Sequence, residues 1–199
     1  MNCIDFMTNV FAALHQHNIS PAAIRKLIRS VPEVKGLKCL LQTMKQVYGM
    51  DIIIVSDSNS VFIDEWLKEH RLHELFLEVF ANPAQFKANG RLEIQPYHCQ
   101  TECSLNGINM CKGKVLEEFV EARRRQNVVY SCIIYLGDGN NDFCPALRLQ
   151  PHDIVAARKG FNLEKLLCEH AEKLDAQLIL WWNGIDLKRQ LERMLGICS

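Results

Sequence analysis

Two short apolar blocks, each followed at once by a polar and acidic loop, constrain the fold of this chain more than any other feature. The first block, residues 51–55, is rich in β-branched side chains and runs into the loop 56–60. The second block, residues 131–136, runs into the loop 137–142. Such blocks are typical of strands that are buried on both faces, as in a parallel sheet. Because a helix-compatible stretch follows each loop, this repeated unit predicts an α/β fold with a doubly wound parallel sheet.

Helical and strand periodicity predicts further elements along the chain. Ser20 before Pro21 is typical of a helix start, with the serine as the N-terminal cap. Residues 91–94 and the loop that follows them, as far as residue 113, form an insertion that periodicity does not place. Helices are predicted at residues 4–17, 21–30, 61–72, 114–126 and 186–195, and strands at residues 78–81, 153–156 and 177–181.

The composition excludes several classes of protein. Of the 199 residues, 48% are hydrophobic, which excludes intrinsic disorder as the main state. The 23 basic and 23 acidic side chains give a net charge of zero, whereas nucleic-acid binders usually carry a basic excess. The nine cysteines are odd in number and scattered, which indicates a reduced, intracellular protein. Since the sequence has neither a signal-peptide pattern nor a long apolar run, we expect it in the cytoplasm and not in a membrane.

The loop 137–142 carries two carboxylates, Asp138 and Asp142, among glycines and asparagines. Carboxylates on a tight turn are suitable ligands for Mg²⁺, which uses one or two of them together with water and a substrate phosphate. In open α/β sheets, ligands bind at the carboxyl ends of the strands, where this loop is predicted to lie. The same residue types are common in surface turns, so the loop by itself leaves both interpretations open.

The loop 56–60 and Lys112 are candidate anion-binding groups. The loop 56–60 offers hydroxyls, a side-chain amide and backbone N–H groups at the start of a helix, which together suit an anion. The alternative is that Ser58 or Ser60 only caps the helix. Lys112, just before the predicted helix 114–126, could reach an anion as a point charge. A single lysine at a helix start is more often solvated.

Several stretches of the sequence carry a resemblance to a known family. They are Ile-Ile-Val-Ser-Asp-Ser-Asn-Ser-Val-Phe-Ile (53–63), Ala-Asn-Pro-Ala (81–84), Pro-Tyr-His (96–98), Asn-Met-Cys-Lys-Gly-Lys-Val-Leu (109–116), Tyr-Leu-Gly-Asp-Gly-Asn-Asn-Asp-Phe-Cys-Pro (135–145) and Arg-Lys-Gly-Phe (158–161). The order strand-Ser-Asp, Lys, strand-Gly-Asp-Gly-x-x-Asp resembles motifs two, three and four of the haloacid dehalogenase superfamily of aspartate-nucleophile phosphatases. Over nearly its whole length the chain is similar to the phosphoethanolamine/phosphocholine phosphatase family, whose close relatives act on pyridoxal phosphate, thiamine monophosphate or pyrophosphate.

The resemblance implies a fold, a reaction and a set of site residues. Residues 46–199 would form a haloacid dehalogenase-like α/β core, and residues 1–45 the remnant of a small helical domain that closes over the site. The implied reaction is Mg²⁺-dependent hydrolysis of a small phosphomonoester or of pyrophosphate through a phospho-aspartate. The resemblance implies that Ser56 hydrogen-bonds the transferring phosphoryl group and that Asp57 lines the substrate pocket. It implies that Lys112 neutralises the charge of the phosphoryl oxygens and of the nucleophile. It also implies that Asp138 coordinates Mg²⁺ and that Asp142 supports the metal or its waters.

One motif of the superfamily is absent from the sequence: the strand ending in Asp-x-Asp-x-Thr, which supplies the nucleophile and the acid–base aspartate. Asp5 has only Met1 to Ile4 before it, too few residues for the strand, and lacks the second Asp and the Thr. We therefore expect an N-terminally truncated member without the central motif-one strand, so that the two strands next to it each keep an unpaired edge. A catalytically inactive phosphate-binding or regulatory form is the alternative, and a gene-model or splicing error is a third.

Three cysteines, Cys99, Cys103 and Cys111, lie close in sequence to His98. This group could be interpreted as a zinc cluster, but its spacing matches no common structural zinc site, so we do not expect zinc.

The pair Arg158 and Lys159 has two interpretations: it helps to hold a loop near the phosphate, or it is a solvated basic pair. The sequence selects neither one phosphorylated substrate nor an oligomeric state.

Overall fold

The computed structural model describes residues 3–196, which form two compact units. The first unit consists of Met1–Glu33 and Lys45–Met110, and the second of Val34–Met44 and Cys111–Ser199. Each unit therefore contains two separate segments of the chain.

The predicted domains at residues 1–45 and 46–199 remain a prediction. The two compact units divide the chain at three other places, after Glu33, Met44 and Met110. The outermost residues of those predicted domains, 1–2 and 197–199, lie outside the described residues.

The secondary structure alternates between helices and strands after the first three helices. The helices are α1 (Cys3–Gln16), α2 (Pro21–Arg29), α3 (Leu37–Gln46), α4 (Ser60–His70), α5 (Lys112–Arg125), α6 (Phe143–Ala146), α7 (Asn162–Glu169) and α8 (Gly184–Met194). The strands are β1 (Ile53–Asn59), β2 (Glu78–Asn82), β3 (Ala84–Phe86), β4 (Leu92–Ile94), β5 (Ile134–Gly137), β6 (Ile154–Arg158) and β7 (Gln177–Trp181).

The first unit is built on the parallel pair β1–β2, with Ile53 opposite Glu78 and Ser56 opposite Ala81. The helix α2 packs on α4, and the antiparallel hairpin β3–β4 packs with α1 around the buried Phe11. This hairpin contains residues 91–94, which periodicity did not place. The predicted cap of α2 is confirmed, because the Ser20 hydroxyl accepts a hydrogen bond from the Ala23 N–H at 3.2 Å.

The second unit is built on a parallel sheet with the strand order β5–β6–β7. Its central strand β6 is buried over Ile154–Ala157, as is typical of the middle strand of a parallel sheet. In register, Gly137 lies opposite Ala157, and Arg158 lies opposite Trp181. Since the strands are parallel, their carboxyl ends lie at one edge of the sheet, and this edge carries the loop 137–142.

The predicted α/β class is confirmed, with parallel strands alternating with helices in both units. The first apolar block is shifted relative to prediction: β1 begins at Ile53 and continues through the polar residues to Asn59. Asp5 lies in the first turn of α1 and not at the end of a strand.

The strands β1 and β5, which lead into or contain the two predicted polar loops, each pair with one strand. Within residues 3–196, β1 pairs with β2 and with no second strand, and β5 pairs with β6 and with no second strand.

None of the helices between residues 3 and 196 combines the length and the apolar character needed to cross a bilayer.

Candidate functional site

The irregular last part of β1, residues 56–59, is shaped by its own side chains. Ser56 is the last residue in regular register with β2, and its hydroxyl oxygen accepts the Ser58 N–H at 3.1 Å. Asn59 caps α4 by accepting the Phe62 N–H at 3.0 Å. The alternative that Ser58 or Ser60 caps this helix is therefore wrong. The Asn59 amide occupies the cap position, and the Ser60 hydroxyl instead contacts the backbone of Ala84.

Two buried asparagines hold Asp57, and sequence reasoning did not identify either of them. Asn82 is fully buried, donates to the Asp57 carbonyl at 2.6 Å and accepts the Tyr97 N–H at 3.0 Å. Asn109, which is 2% exposed, points its amide nitrogen at Asn82 Oδ1 (3.4 Å) and at Asp57 Oδ1 (3.5 Å). These contacts fix both the backbone and the carboxylate of Asp57. Both asparagines lie in stretches that carry the family resemblance, 81–84 and 109–116, but nothing in those stretches indicated that they would be buried against Asp57.

In the second unit, Lys112 forms a buried ion pair with Asp142. Lys112 is the first residue of α5, and its Nζ lies 2.7 Å from Asp142 Oδ1. Both side chains are less than a tenth exposed. Each charge of this pair needs the other, because a buried charge without its partner strongly destabilises the fold.

The carboxylate of Asp142 is surrounded by four protein donors. Its Oδ1 accepts hydrogen bonds from Lys112 Nζ and from the Tyr135 hydroxyl, each at 2.7 Å. Its Oδ2 accepts the backbone N–H groups of Asp138 and Gly139, each at 2.9 Å. The loop 137–142 is thus wound around its last carboxylate, which fixes the position of Asp138.

Gly137 allows this winding. A Cβ at Gly137 would lie 2.7 Å from both Cβ and Cγ of Asp142, closer than side-chain atoms approach one another. A glycine at the end of β5 is therefore required for Asp142 to fold back beneath the loop.

The ionisation of Asp142 follows from these contacts. Burial acts to raise the pKa of this carboxyl group, but the charge of Lys112 and the hydrogen bonds from Lys112, Gly139 and Tyr135 outweigh burial. The pKa of Asp142 is consequently held below its ordinary value. Asp142 is an anion at neutral pH and keeps the Lys112 ammonium in place.

Asp138 is the available carboxylate of this loop. Its side chain is exposed, and its carboxylate oxygens contact no hydrogen-bond donor or cation within residues 3–196. Its backbone is held at both ends, since its N–H donates to Asp142 and its carbonyl accepts the Leu163 N–H at 3.0 Å. An oxygen ligand on a fixed backbone fits a magnesium ion. The oxygens of Asp142, in contrast, are already occupied by protein donors.

The structure brings the predicted residues together in two groups. Ser56 and Asp57 are adjacent in the first unit, and Lys112, Asp138 and Asp142 form one connected group in the second. Tyr135 belongs to the second group and was missed, because it lies inside the predicted strand 131–136 and nothing in the sequence indicated that its hydroxyl would contact Asp142. The Tyr135 hydroxyl donates a hydrogen bond to the Asp142 carboxylate, 7 residues later in the sequence. The sequence did not show that this carboxylate is buried.

We expect Tyr135→Phe to lower the free energy of unfolding by about 2 kcal/mol, because a buried hydrogen bond to a charged carboxylate is lost while the ring stays in place. Urea unfolding measures the change. Tyr130→Phe is the matched control, since the Tyr130 hydroxyl accepts a hydrogen bond from Arg123 in a more exposed position. If both variants lost the same free energy of unfolding, the hydrogen bond from Tyr135 to Asp142 would contribute no more than the exposed one at Tyr130.

Comparison with known families gives one match along almost the entire chain. A sequence profile of the family described as Putative Phosphatase matches residues 2–195.

Two curated human proteins are similar to this chain. One is pyridoxal phosphate phosphatase PHOSPHO2 from Homo sapiens, 36% identical over 195 residues, which cover 96% of this chain and 80% of that protein. The other is the phosphoethanolamine/phosphocholine phosphatase from Homo sapiens, 30% identical over 200 residues, which cover 98% of this chain and 74% of that protein.

Among solved structures, a probable phosphoserine phosphatase from Vibrio cholerae in its unliganded form superposes with a TM-score of 0.57 at 14% identity. The match covers 90% of this chain but only 49% of the other, so this chain spans about half the length of that protein. At this identity the likeness shows the fold alone, which is that of the haloacid dehalogenase-like phosphatases.

Proposed function

Because the chain belongs to the Putative Phosphatase family of the haloacid dehalogenase superfamily, we propose that it acts as a phosphatase on a small phosphorylated metabolite. The candidate substrates are phosphoethanolamine, phosphocholine, pyridoxal phosphate, thiamine monophosphate and pyrophosphate. The observation that carries the proposal is the buried ion pair of Lys112 with Asp142 next to the exposed carboxylate of Asp138, which contacts no donor or cation in the described part of the chain. That arrangement supplies a fixed cation and a metal ligand within one loop.

Phosphoryl transfer depends on positioning and charge neutralisation more than on covalent chemistry by the protein. Lys112 has three N–H donors, of which Asp142 accepts one. The other two have no side-chain acceptor within residues 3–196 and would serve the oxygens of a phosphoryl group. The role of Asp142 is to orient this ammonium group through the hydrogen bond that its Oδ1 accepts.

Ser56 contributes a hydroxyl donor in the first unit. Its oxygen accepts the Ser58 N–H, so its own proton is available to donate to a phosphoryl oxygen. Asp57, held by Asn82 and Asn109, would line the pocket for the rest of the substrate.

We propose that Asp138 holds Mg²⁺ and that Asp142 supports the metal loop by binding the N–H groups of Asp138 and Gly139. When bound, Mg²⁺ would neutralise charge on the phosphoryl group. The reaction also needs an aspartate nucleophile, and the printed sequence contains no Asp-x-Asp-x-Thr motif. We propose a phospho-aspartate mechanism in which that motif is supplied by sequence outside this chain.

A cytoplasmic location without nucleic-acid or membrane partners is part of the proposal. It rests on the balanced charge and the scattered cysteines of the sequence.

The test compares this chain with the same chain preceded by a strand that ends in Asp-x-Asp-x-Thr. Each of the candidate substrates is supplied with Mg²⁺ or with EDTA, and released phosphate is measured. We expect Mg²⁺-dependent release by the extended chain, and binding of orthophosphate without turnover by the chain itself. Rapid turnover by the chain itself would overturn the account of the nucleophile. Absence of both binding and turnover in the two chains would overturn the phosphatase proposal.

A further inference from the structure

Two adjacent cations lie at the carboxyl edge of the sheet in the second unit, next to the Asp138 loop. Arg158 is the last residue of β6 and Lys159 follows it. Gly137 of β5 lies opposite Ala157 of β6. Asp138 follows Gly137 and Arg158 follows Ala157, so the two residues lie side by side along neighbouring strands. Neighbouring strands are about 4.8 Å apart, so the Arg158 backbone is one strand away from that of Asp138.

Aromatic rings, and not carboxylates, hold these two cations. The Arg158 guanidinium lies over the rings of Phe161 (4.6 Å) and Trp181 (5.7 Å), and Lys159 Nζ lies over the ring of Trp182 (5.4 Å). No carboxylate within residues 3–196 lies within ion-pair distance of either cation. A ring face restrains a cation without occupying all of its N–H donors. Both positive charges are therefore restrained in place and left uncompensated.

The loop that carries the cations is fixed to the Asp138 loop. The Leu163 N–H donates to the Asp138 carbonyl at 3.0 Å, and the Lys159 N–H donates to the Trp181 carbonyl at 2.9 Å. Gly160 has a φ of 82°, a conformation that glycine adopts without strain, and its N–H donates to Glu164 Oε2 at 2.6 Å. A binding loop that is ordered in advance loses little entropy when it binds a ligand.

We propose that Arg158 and Lys159 form a second anion subsite beside Asp138, which binds a second negatively charged group of the substrate. The inference rests on the proposed function, because it assigns the first phosphoryl group to Lys112 and Asp138. The second subsite would distinguish the candidate substrates by the charge of the group next to the phosphoryl group. Pyrophosphate carries a second phosphoryl group that two cations stabilise, whereas phosphocholine and phosphoethanolamine carry a cationic group that they repel.

The experiment measures binding by titration calorimetry in excess Mg²⁺, with pyrophosphate, orthophosphate and phosphocholine as separate ligands. Binding does not require the nucleophile, so the readout is independent of turnover. We expect Arg158→Gln and Lys159→Gln each to weaken pyrophosphate binding about tenfold, the effect of one lost hydrogen bond between charged groups. Orthophosphate binding should change less than about twofold, and phosphocholine binding should be unchanged or tighter.

Lys165→Gln is the matched control, because Lys165 is an exposed lysine of α7 outside this loop. It should leave the binding of all three ligands unchanged. Thermal denaturation of each variant checks that the fold is kept.

The outcomes separate the subsite from the proposed function. Equal weakening of pyrophosphate and orthophosphate in the Arg158 and Lys159 variants, or no weakening of either, would overturn the subsite. If Lys112→Met abolishes binding of both ligands in that case, the proposed function stands without the subsite. If the unsubstituted chain binds neither pyrophosphate nor orthophosphate, both proposals are overturned.

Discussion

Replacing Lys112 with methionine is expected to lower the free energy of unfolding by about 3–5 kcal/mol, the cost of leaving a buried charge without its partner. The same change should abolish orthophosphate binding. Asp142 stays buried beneath the loop, and of its four donors only the neutral ones remain, the Tyr135 hydroxyl and the N–H groups of Asp138 and Gly139. Urea unfolding and calorimetric titration with orthophosphate measure the two effects.

The loss of stability should depend on pH in a defined direction. In the folded protein the pKa of Asp142 is held below its ordinary value, so this carboxylate stabilises the fold at every pH above its unfolded-state pKa of about 4. The stabilisation is lost as the pH falls through the lower folded-state pKa. The difference in unfolding free energy between the unsubstituted chain and the Lys112→Met variant should therefore be largest near neutral pH and become smaller below about pH 4.

Lys165→Met is the control for this variant, because it removes the charge of an exposed lysine and keeps a similar helix propensity. It should change the unfolding free energy by less than about 0.5 kcal/mol. A Lys112→Met variant that is as stable as the control would contradict the contribution of the ion pair to stability. One that binds orthophosphate as tightly as the unsubstituted chain would contradict its contribution to phosphate binding.

Gly184→Ala is expected to destabilise the second unit by about 3 kcal/mol or more, because the new methyl group meets backbone atoms that cannot rotate away. A Cβ at Gly184 would lie 2.2 Å from Leu37 N and 2.3 Å from Gly36 C. The Gly184 N–H also donates to the Lys35 carbonyl at 2.8 Å. The start of α8 is thus in direct backbone contact with the turn before α3, and this contact explains why Val34–Met44 belongs to the second unit.

Gly139→Ala is the matched control for this steric prediction. There the new Cβ would lie 2.6 Å from Asn141 Oδ1, the end of a flexible side chain that can move aside. We expect a loss below about 1 kcal/mol, measured by urea unfolding under the same conditions. If Gly184→Ala were no more destabilising than Gly139→Ala, the close contact between the two segments would be wrong.

Local chemistry made some elements predictable. The Ser20–Pro21 pair begins α2 as expected, since a hydroxyl cap and a fixed proline φ act within one helical turn. The strand β7 has the predicted bounds, Gln177–Trp181. Residues 91–94 were not predictable, because a strand of three residues gains its order from the hairpin partner Ala84–Phe86 and not from its own pattern.

The candidate site was predictable in its residues but not in their connections. The motifs identified Lys112, Asp138 and Asp142 as candidates, and the structure places them in one hydrogen-bonded group. The roles assigned to them remain predictions. The contributions of Tyr135 and Asn82 were missed because a buried hydrogen-bond partner cannot be distinguished by sequence from an ordinary strand or loop residue.

The amino-acid sequence by itself determined the alternation of strands and helices, the two acidic loops and the family of the chain, because these depend on neighbouring side chains and on short motifs. Only the tertiary structure decided that Lys112 and Asp142, 30 positions apart, share one buried ion pair, and that Asp138 keeps the exposed carboxylate. The physical reason is burial. Whether a carboxylate is a metal ligand or the internal partner of a cation depends on the donors that folding places around it, and those donors come from distant parts of the chain.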